Sequence, residues 1–230
     1  MRKNESFRLT VTLLFVAAAC VFTILLMKVD VKCIGPLHTS IGFSKINSTV
    51  RDFFGCSNIW YDITKYIGFL AIGIAGIIVL IGLYQLIRRR SLLKVDVEIL
   101  VMAIVYVLLA ALYIFFEKFV VNYRPVIMEG KDFVEASYPS SHTMLTCTIM
   151  ITGAIAARKH LANRDVLRGV VTVGAGMISF IMIVGRLLSG VHWLTDIIGA
   201  VLFSGALISL YCLLLAFIHN KKLEKQCFAE

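Results

Sequence analysis

Long apolar runs separated by short polar segments form the dominant pattern along this chain. Each run is roughly 20 residues long, the length of helix that crosses the hydrocarbon core of a bilayer. We expect membrane-spanning helices at six places, about residues 9–27, 66–87, 96–116, 141–157, 168–187 and 194–218. No change of composition and no low-complexity linker divides the chain, so the pattern predicts an all-α, polytopic membrane protein with a single domain over residues 1–230.

Composition and charge agree with a membrane protein. Hydrophobic residues make up 59% of the 230, whereas a soluble domain is about half apolar. The net charge is +9, but the basic residues cluster beside the apolar runs. This placement is typical of membrane topology and of contact with anionic lipids. No nucleic-acid-binding motif accompanies the charge, so we expect no nucleic-acid partner.

The basic clusters also predict an orientation. They lie in four flanks, at residues 2–8, 88–94, 158–168 and 221–225. With six spans, all four flanks fall on one side, which the positive-inside rule assigns to the cytoplasm. We therefore expect both termini in the cytoplasm, a plasma-membrane location, and extracytoplasmic loops at 28–65, 117–140 and 186–193. The first run has no clear signal-peptide cleavage site after it, so we expect it to remain as a span.

The longest polar insertion is the outer loop at residues 28–65. Its segment 41–54 has apolar positions with a roughly helical period, which predicts a short helix on the membrane surface. We expect this helix to be a packing lid rather than a substrate-reading element. Cys33 and Cys56 both lie in the loop, where the topology permits a disulfide and nothing in the sequence demands one.

Three polar clusters, at residues 117–125, 138–143 and 185–196, fall on the predicted outer side. Charge beside a membrane span is costly, so such clusters indicate a functional site. If the last cluster is helical, His192 and Asp196 share a face, and the carboxylate can hold one ring nitrogen while the other attacks an electrophile. The candidate site residues are Lys118, Arg124, Ser140, Ser141, His142, Arg186, His192 and Asp196.

This set suits phosphoryl transfer. Arginine side chains bind phosphate oxygens in pairs of hydrogen bonds, and the first amides of a helix that follows Pro139 can bind an anion. One histidine can attack phosphorus while the other protonates the leaving alkoxide, with no metal or cofactor required. Each residue alone also has a structural interpretation, such as a helix cap or a snorkelling side chain. The convergence of three clusters on one face favours the catalytic interpretation.

In order and spacing, the three clusters resemble the signatures of the type 2 phosphatidic acid phosphatase family, which also includes glucose-6-phosphatase and vanadium haloperoxidases. The family pattern is a lysine, six residues and Arg-Pro; then Pro-Ser-Gly-His; then Ser-Arg, five residues, His, three residues and Asp. The resemblance implies that His192 forms a phosphohistidine, that Asp196 orients it and that His142 is the general acid. It also implies three phosphate ligands, Arg124, Arg186 and Ser140.

The chain departs from the family pattern at three positions. The pattern places a lysine seven residues before Arg124, where this chain has Glu117, and Lys118 follows one residue late. One residue turns a helix by about 100°, so Lys118 points away from the phosphate unless the helix end is irregular. Ser141 replaces the glycine of the second signature and Gly185 replaces the serine before the arginine, and both changes are mild.

The predicted activity is metal-independent hydrolysis of a lipid phosphate or diphosphate at the outer membrane face. The candidate substrates are polyprenyl diphosphate, phosphatidylglycerophosphate, phosphatidic acid and diacylglycerol pyrophosphate. Two alternatives stay open: a phosphotransferase that passes the group to an alcohol, and a non-catalytic protein that binds lipid headgroups. Glu117 favours the last alternative, whereas the two histidines with their carboxylate favour an enzyme. The expected partners are the membrane and the lipid substrate. The sequence does not indicate which oligomeric state the protein adopts.

Overall fold

A computed structural model describes residues 2–227 of the chain, with side chains described from residue 4 to residue 221. Within that range the chain folds into helices joined by loops, with isolated bridges between Lys32 and Ile41 and between Tyr123 and Ala136 and no strands. The prediction of an all-α protein is therefore confirmed. The α-helices are α1 (Arg2–Lys28), α2 (Ser44–Phe54), α3 (Asn58–Arg89), α4 (Val97–Lys118), α5 (Ser141–His160), α6 (Asp165–Leu188) and α7 (Leu194–Cys227).

Each of the six predicted spans lies inside one of these helices to within one residue. Five helices are long and apolar enough to cross a membrane, namely α1, α3, α4, α6 and α7. The helix α5, which contains the fourth predicted span, is not among them. It carries four fully buried threonines, Thr143, Thr146, Thr148 and Thr152, which lower its hydropathy. The structure thus gives five candidate spans, and the predicted count of six is not confirmed.

The position of α5 explains its polar character. It packs against α3, α4, α6 and α7, so its side chains face protein on most sides. The Thr152 hydroxyl donates to the Thr148 carbonyl at 2.7 Å and lies 3.1 Å from the Tyr106 hydroxyl of α4. The apolar core around it joins α4, α5 and α7 through side chains such as Val105, Met144 and Leu207. A helix enclosed in this way can satisfy its hydroxyls inside the bundle.

The outer surface of the bundle is apolar. Large hydrophobic side chains are more than half exposed on several helices, among them Leu14, Leu80, Val107 and Phe180. Apolar surface of this extent is unfavourable in water, because it remains hydrated, but it is favourable against lipid tails. Together with the five apolar helices, it indicates an integral membrane protein.

The functional residues predicted from sequence collect at one end of the bundle. Glu117 at the end of α4, Ser141 at the start of α5 and His192 before α7 line one cavity. At the far end, the Lys159 ammonium at the end of α5 lies 3.0 Å from the Glu98 carboxylate at the start of α4. The basic flanks therefore lie at the end of the bundle opposite to this cavity.

The outer loop contains a helix, α2, inside the segment where the sequence predicted one. Its anchor is Asn47, which is fully buried. The Asn47 amide donates to the Gly42 carbonyl at 2.8 Å and to the Thr195 hydroxyl at 2.9 Å, and it accepts from the Thr195 amide at 3.2 Å. These bonds fasten α2 to the first turn of α7, whereas Ile46 and Phe53 on α2 are exposed. The placement of α2 on a membrane surface stays a prediction.

The cysteines of the outer loop are both unpaired, so the disulfide that the topology permits does not form. The Cys33 thiol lies 3.6 Å from the Ser40 hydroxyl. The Cys56 thiol instead faces the Gly190 carbonyl, at 3.9 Å. The two thiols therefore contact different parts of the structure. The Cys56 thiol packs beside the polar cluster at residues 185–196.

Candidate active site

The loop between α6 and α7 carries His192. The chain turns at Gly190, which adopts a positive φ of 68°. A Cβ at this glycine would lie 2.5 Å from the Cys56 thiol, so both the turn and the close packing require glycine. The turn places His192 at the end of the bundle with its side chain almost fully buried.

Two groups lie beside the Nδ1 atom of His192. The Ser137 carbonyl is 3.1 Å away, at hydrogen-bond distance, and the Asp196 carboxylate is 3.5 Å away. The carboxylate makes its short bond elsewhere, accepting from the Trp193 amide at 2.9 Å. A carbonyl can only accept, so Nδ1 carries the proton and Nε2 carries the lone pair. The Nε2 atom has no hydrogen-bond partner among the described residues.

The surroundings of His192 keep its imidazole neutral. Burial lowers the pKa of His192 well below 6.5, and the positive charges of Arg124 and Arg186 lower it further. A neutral ring near pH 7 leaves the lone pair of Nε2 available for attack. The same two guanidiniums would attract an anionic electrophile to that atom.

Arg186, in the last turn of α6, is a buried cation without an anionic partner in the described structure. Only 1% of the residue is exposed, and its Nε and Nη1 atoms have no hydrogen-bond partner. Its guanidinium lies 5.5 Å from the centre of the Tyr61 ring at the start of α3, a cation–π distance. Buried, unpaired donors are costly. They therefore mark a position where an anion would bind.

Arg124 is held by the loop that joins α4 to α5. Its amide donates to the Glu135 carbonyl at 2.9 Å, and the Ser137 amide donates to the Asn122 carbonyl at 2.9 Å, so the loop folds back on itself. The Arg124 side chain forms an ion pair with the Glu135 carboxylate at 3.1 Å. It lines the same cavity as His192. The loop thereby brings the first polar cluster to the third.

The second cluster forms the start of α5. The amide of Ser140, its N-cap residue, donates to the Asp196 carbonyl at 3.0 Å and so ties α5 to the start of α7. The Ser140 hydroxyl lies 3.0 Å from the Thr143 hydroxyl, and both residues are fully buried. Ser141 lines the cavity beside His192. Both predicted serines are therefore at the site.

His142 lies in the first turn of α5 and packs on α3. A Cβ at Gly68 would lie only 2.8 Å from the Cδ2 atom of His142, so the glycine lets the imidazole approach the helix backbone. The Nδ1 atom of His142 is buried without a hydrogen-bond partner. The ring lines an apolar groove of about 460 Å³ between α3, α4 and α5. Ser141 lines this groove as well as the cavity, so the two spaces adjoin.

The register at the end of α4 is as the sequence indicates. The helix continues to Lys118, and Glu117 lines the cavity with Arg124 and His192. Lys118 is exposed and is not among the lining residues. The structure thus brings together seven of the eight candidate residues and leaves Lys118 outside the cavity.

Three groups of the site were missed from sequence. Tyr61 contacts Arg186, but its position in the chain indicated only an interfacial aromatic residue. Glu135 pairs with Arg124 and gave no signal, because it lies in an irregular loop. The Ser137 carbonyl orients His192, and a backbone atom has no sequence signature.

The arrangement as a whole places basic side chains around the free Nε2 atom of His192. The ionisable neighbours of His192 are Arg124, Arg186 and His142, together with the Asp196 carboxylate beside Nδ1. Guanidinium groups bind phosphate oxygens strongly, and they stabilise the charge that develops during phosphoryl transfer. Among the side chains that the structure describes, no group of three or more His, Cys, Asp or Glu could hold a metal ion.

Comparisons with known proteins give a family match and a similar fold. The family model of the PAP2 superfamily matches residues 99–220, more than half of the chain. Among solved structures, the chain is similar to one described as the first transmembrane PAP2 type phosphatidylglycerolphosphate phosphatase from Bacillus subtilis. The TM-score is 0.63 at 19% identity, over 93% of this chain and 96% of that one, which shows a shared fold. The comparison with curated proteins found no match.

Proposed function

Because the chain belongs to the PAP2 superfamily, we propose that it is a lipid phosphatase that acts through a phosphohistidine. One observation carries the proposal. The buried Nε2 atom of His192 has no hydrogen-bond partner, and the guanidiniums of Arg124 and Arg186 are its charged neighbours. A nucleophile among fixed cations is the arrangement that phosphoryl transfer from an anionic ester needs.

In the first step, the Nε2 lone pair of His192 attacks phosphorus and forms a P–N bond. The ester P–O bond breaks, and its electron pair leaves with the alkoxide oxygen. His142 takes up a proton when the anionic substrate binds beside it and gives this proton to that oxygen, so the product leaves as an alcohol. Arg124 and Arg186 stabilise the charge on the remaining phosphoryl oxygens, which is greatest in the transition state.

In the second step, water attacks the phosphohistidine. His142 accepts a proton from the water as its oxygen bonds to phosphorus. The P–N bond breaks, its electron pair returns to Nε2 as a lone pair, and inorganic phosphate is released. The Ser137 carbonyl and the Asp196 carboxylate stay beside Nδ1–H throughout. They stabilise the positive charge that the ring acquires while it carries phosphate.

The apolar groove supports a lipid as the source of the phosphate. His142 acts on the leaving group, so the organic part of the ester lies on its side of the phosphorus. That side is the groove, which is lined by apolar residues such as Ile72, Leu109 and Leu145. A hydrocarbon chain placed there would lose contact with water, and each buried CH₂ contributes about 0.8 kcal/mol.

We extend the proposal to the membrane topology. The helix α5 starts beside the end of α4, where Ser141 and Glu117 line one cavity, and ends beside the start of α4, where Lys159 contacts Glu98. It therefore runs the full length of a helix that can cross a membrane, which supports a sixth span. With the basic flanks at the opposite end, the positive-inside rule then places the site outside and both termini in the cytoplasm.

The test is phosphate release by the purified protein in detergent with EDTA, across the four candidate lipid classes. We expect release from at least one lipid and its loss in His192→Ala. The control is His160→Ala, an exposed histidine at the far end of α5, which should keep wild-type activity. Equal activity in wild type and His192→Ala would overturn the mechanism. Transfer of the phosphoryl group to an added alcohol, instead of release as inorganic phosphate, would identify the phosphotransferase.

A further inference from the structure

We infer that Glu117 determines specificity at this site by selecting lipid phosphate monoesters over diphosphates. The inference rests on the proposed function and deepens it. It concerns the one position where the family pattern has a cation and this chain has an anion. The structure supports the inference independently of the motif spacing, because Glu117 lines the cavity and Lys118 does not.

Glu117 lies where the cavity meets the apolar groove. Tyr113, one helical turn earlier on α4, lines both spaces. The Tyr113 hydroxyl has the Glu117 and Glu135 carboxylates and the Arg124 guanidinium as its charged neighbours. The junction between the phosphate and the lipid tail is therefore the place where the Glu117 carboxylate acts.

The charges around the cavity are nearly balanced. Arg124 is already paired with Glu135, at 3.1 Å. The Arg186 cation, the Glu117 anion and the Asp196 carboxylate beside His192 remain. A lysine in place of Glu117 would raise the local charge by two units. The site of this chain is thus less positive than the family pattern implies, and it suits a less negative ligand.

The two substrate classes place different groups at the junction. When His192 attacks the phosphorus of a monoester, the junction holds the ester oxygen and neutral carbon atoms. When it attacks the terminal phosphorus of a diphosphate, the leaving group is itself a phosphate, and this second anion lies at the junction. The Glu117 carboxylate, which lines the cavity, repels this second anion because the two negative charges are close together.

The experiment compares kcat/KM for dioleoyl phosphatidic acid and for farnesyl diphosphate in one detergent. We expect wild type to prefer the monoester. Glu117→Lys should lower the ratio of kcat/KM for the monoester to kcat/KM for the diphosphate by about tenfold or more. Glu117→Gln should lower this ratio less, because its charge change is smaller. The control is Glu129→Lys, the same charge change at an exposed site in the loop between α4 and α5, and it should leave the kcat/KM ratio of wild type unchanged.

The outcomes separate this inference from the proposed function. Wild type that hydrolyses neither substrate contradicts the proposed function. Wild type that prefers the diphosphate, or a ratio that stays the same in Glu117→Lys, overturns the inference alone. If Glu117→Lys fails to fold, as judged by thermal unfolding, Glu117→Gln gives the same test, and an unchanged ratio in that variant overturns the inference.

Discussion

The contact between α3 and His142, the proposed general acid, gives a specific prediction for Gly68→Ala. The new methyl would lie 2.8 Å from the Cδ2 atom of His142. Carbon atoms in ordinary contact are about 3.5–4.0 Å apart, so the imidazole must move by roughly 0.7 Å or more. A displacement of about 1 Å can cost on the order of 100-fold in rate. We therefore expect kcat to fall by about 10- to 100-fold, or about 1.4–2.7 kcal/mol in the barrier.

Gly73→Ala, on the same helix, is the matched control, because its new methyl would have no neighbour within 4 Å. Alanine is a better helix former than glycine by about 1 kcal/mol, so this variant should keep both activity and thermal stability. The assay compares a lipid ester with an aryl phosphate, whose leaving group needs no proton. Gly68→Ala should lose less on the aryl phosphate. Equal losses on both esters, or an equal loss in Gly73→Ala, would refute the role of His142 and its packing.

Two further predictions concern stability. Asn47→Ala should lower the free energy of unfolding by about 1–3 kcal/mol, because it leaves the buried Thr195 amide and hydroxyl without a partner. Thermal unfolding in detergent measures this loss of stability. An equal loss in Ser48→Ala would contradict the prediction. Because burial holds the pKa of His192 well below 6.5, the unfolded chain binds a proton there that the folded protein does not. Stability should therefore fall as the pH decreases below about 6.5, by up to about 1.4 kcal/mol per pH unit from this group. His192→Gln should remove that part of the slope, and an identical slope in the variant would contradict the pKa shift.

Much of the helical framework was predictable from the sequence, because membrane helices follow from length and hydropathy alone. All six predicted spans lie inside helices to within one residue. The exception was α5, which carries buried threonines because it faces other helices on most sides. The outer loop was half predictable: the amphipathic period located α2, whereas the separation of Cys33 and Cys56 depends on how the loop folds.

The candidate site divides in a similar way. The charged residues beside spans were visible in the sequence, because charge at such positions needs a reason. The register of Glu117 was also readable, since one residue of a regular helix separates Glu117, which lines the cavity, from Lys118, which does not. The Ser137 carbonyl beside His192 and the pairing of Arg124 with Glu135 depend on loop geometry, which side-chain spacing does not determine.

The central claim is that His192 carries the phosphoryl group during turnover. The most direct measurement is to mix the protein with a lipid phosphate, quench it in alkaline detergent within the first turnover, and map the bound phosphate by mass spectrometry. We expect phosphate on His192 in wild type, and increased labelling in His142→Ala with a substrate whose leaving group needs no proton. Phosphate found on another residue, or rapid turnover with no labelled protein at any time, would contradict it.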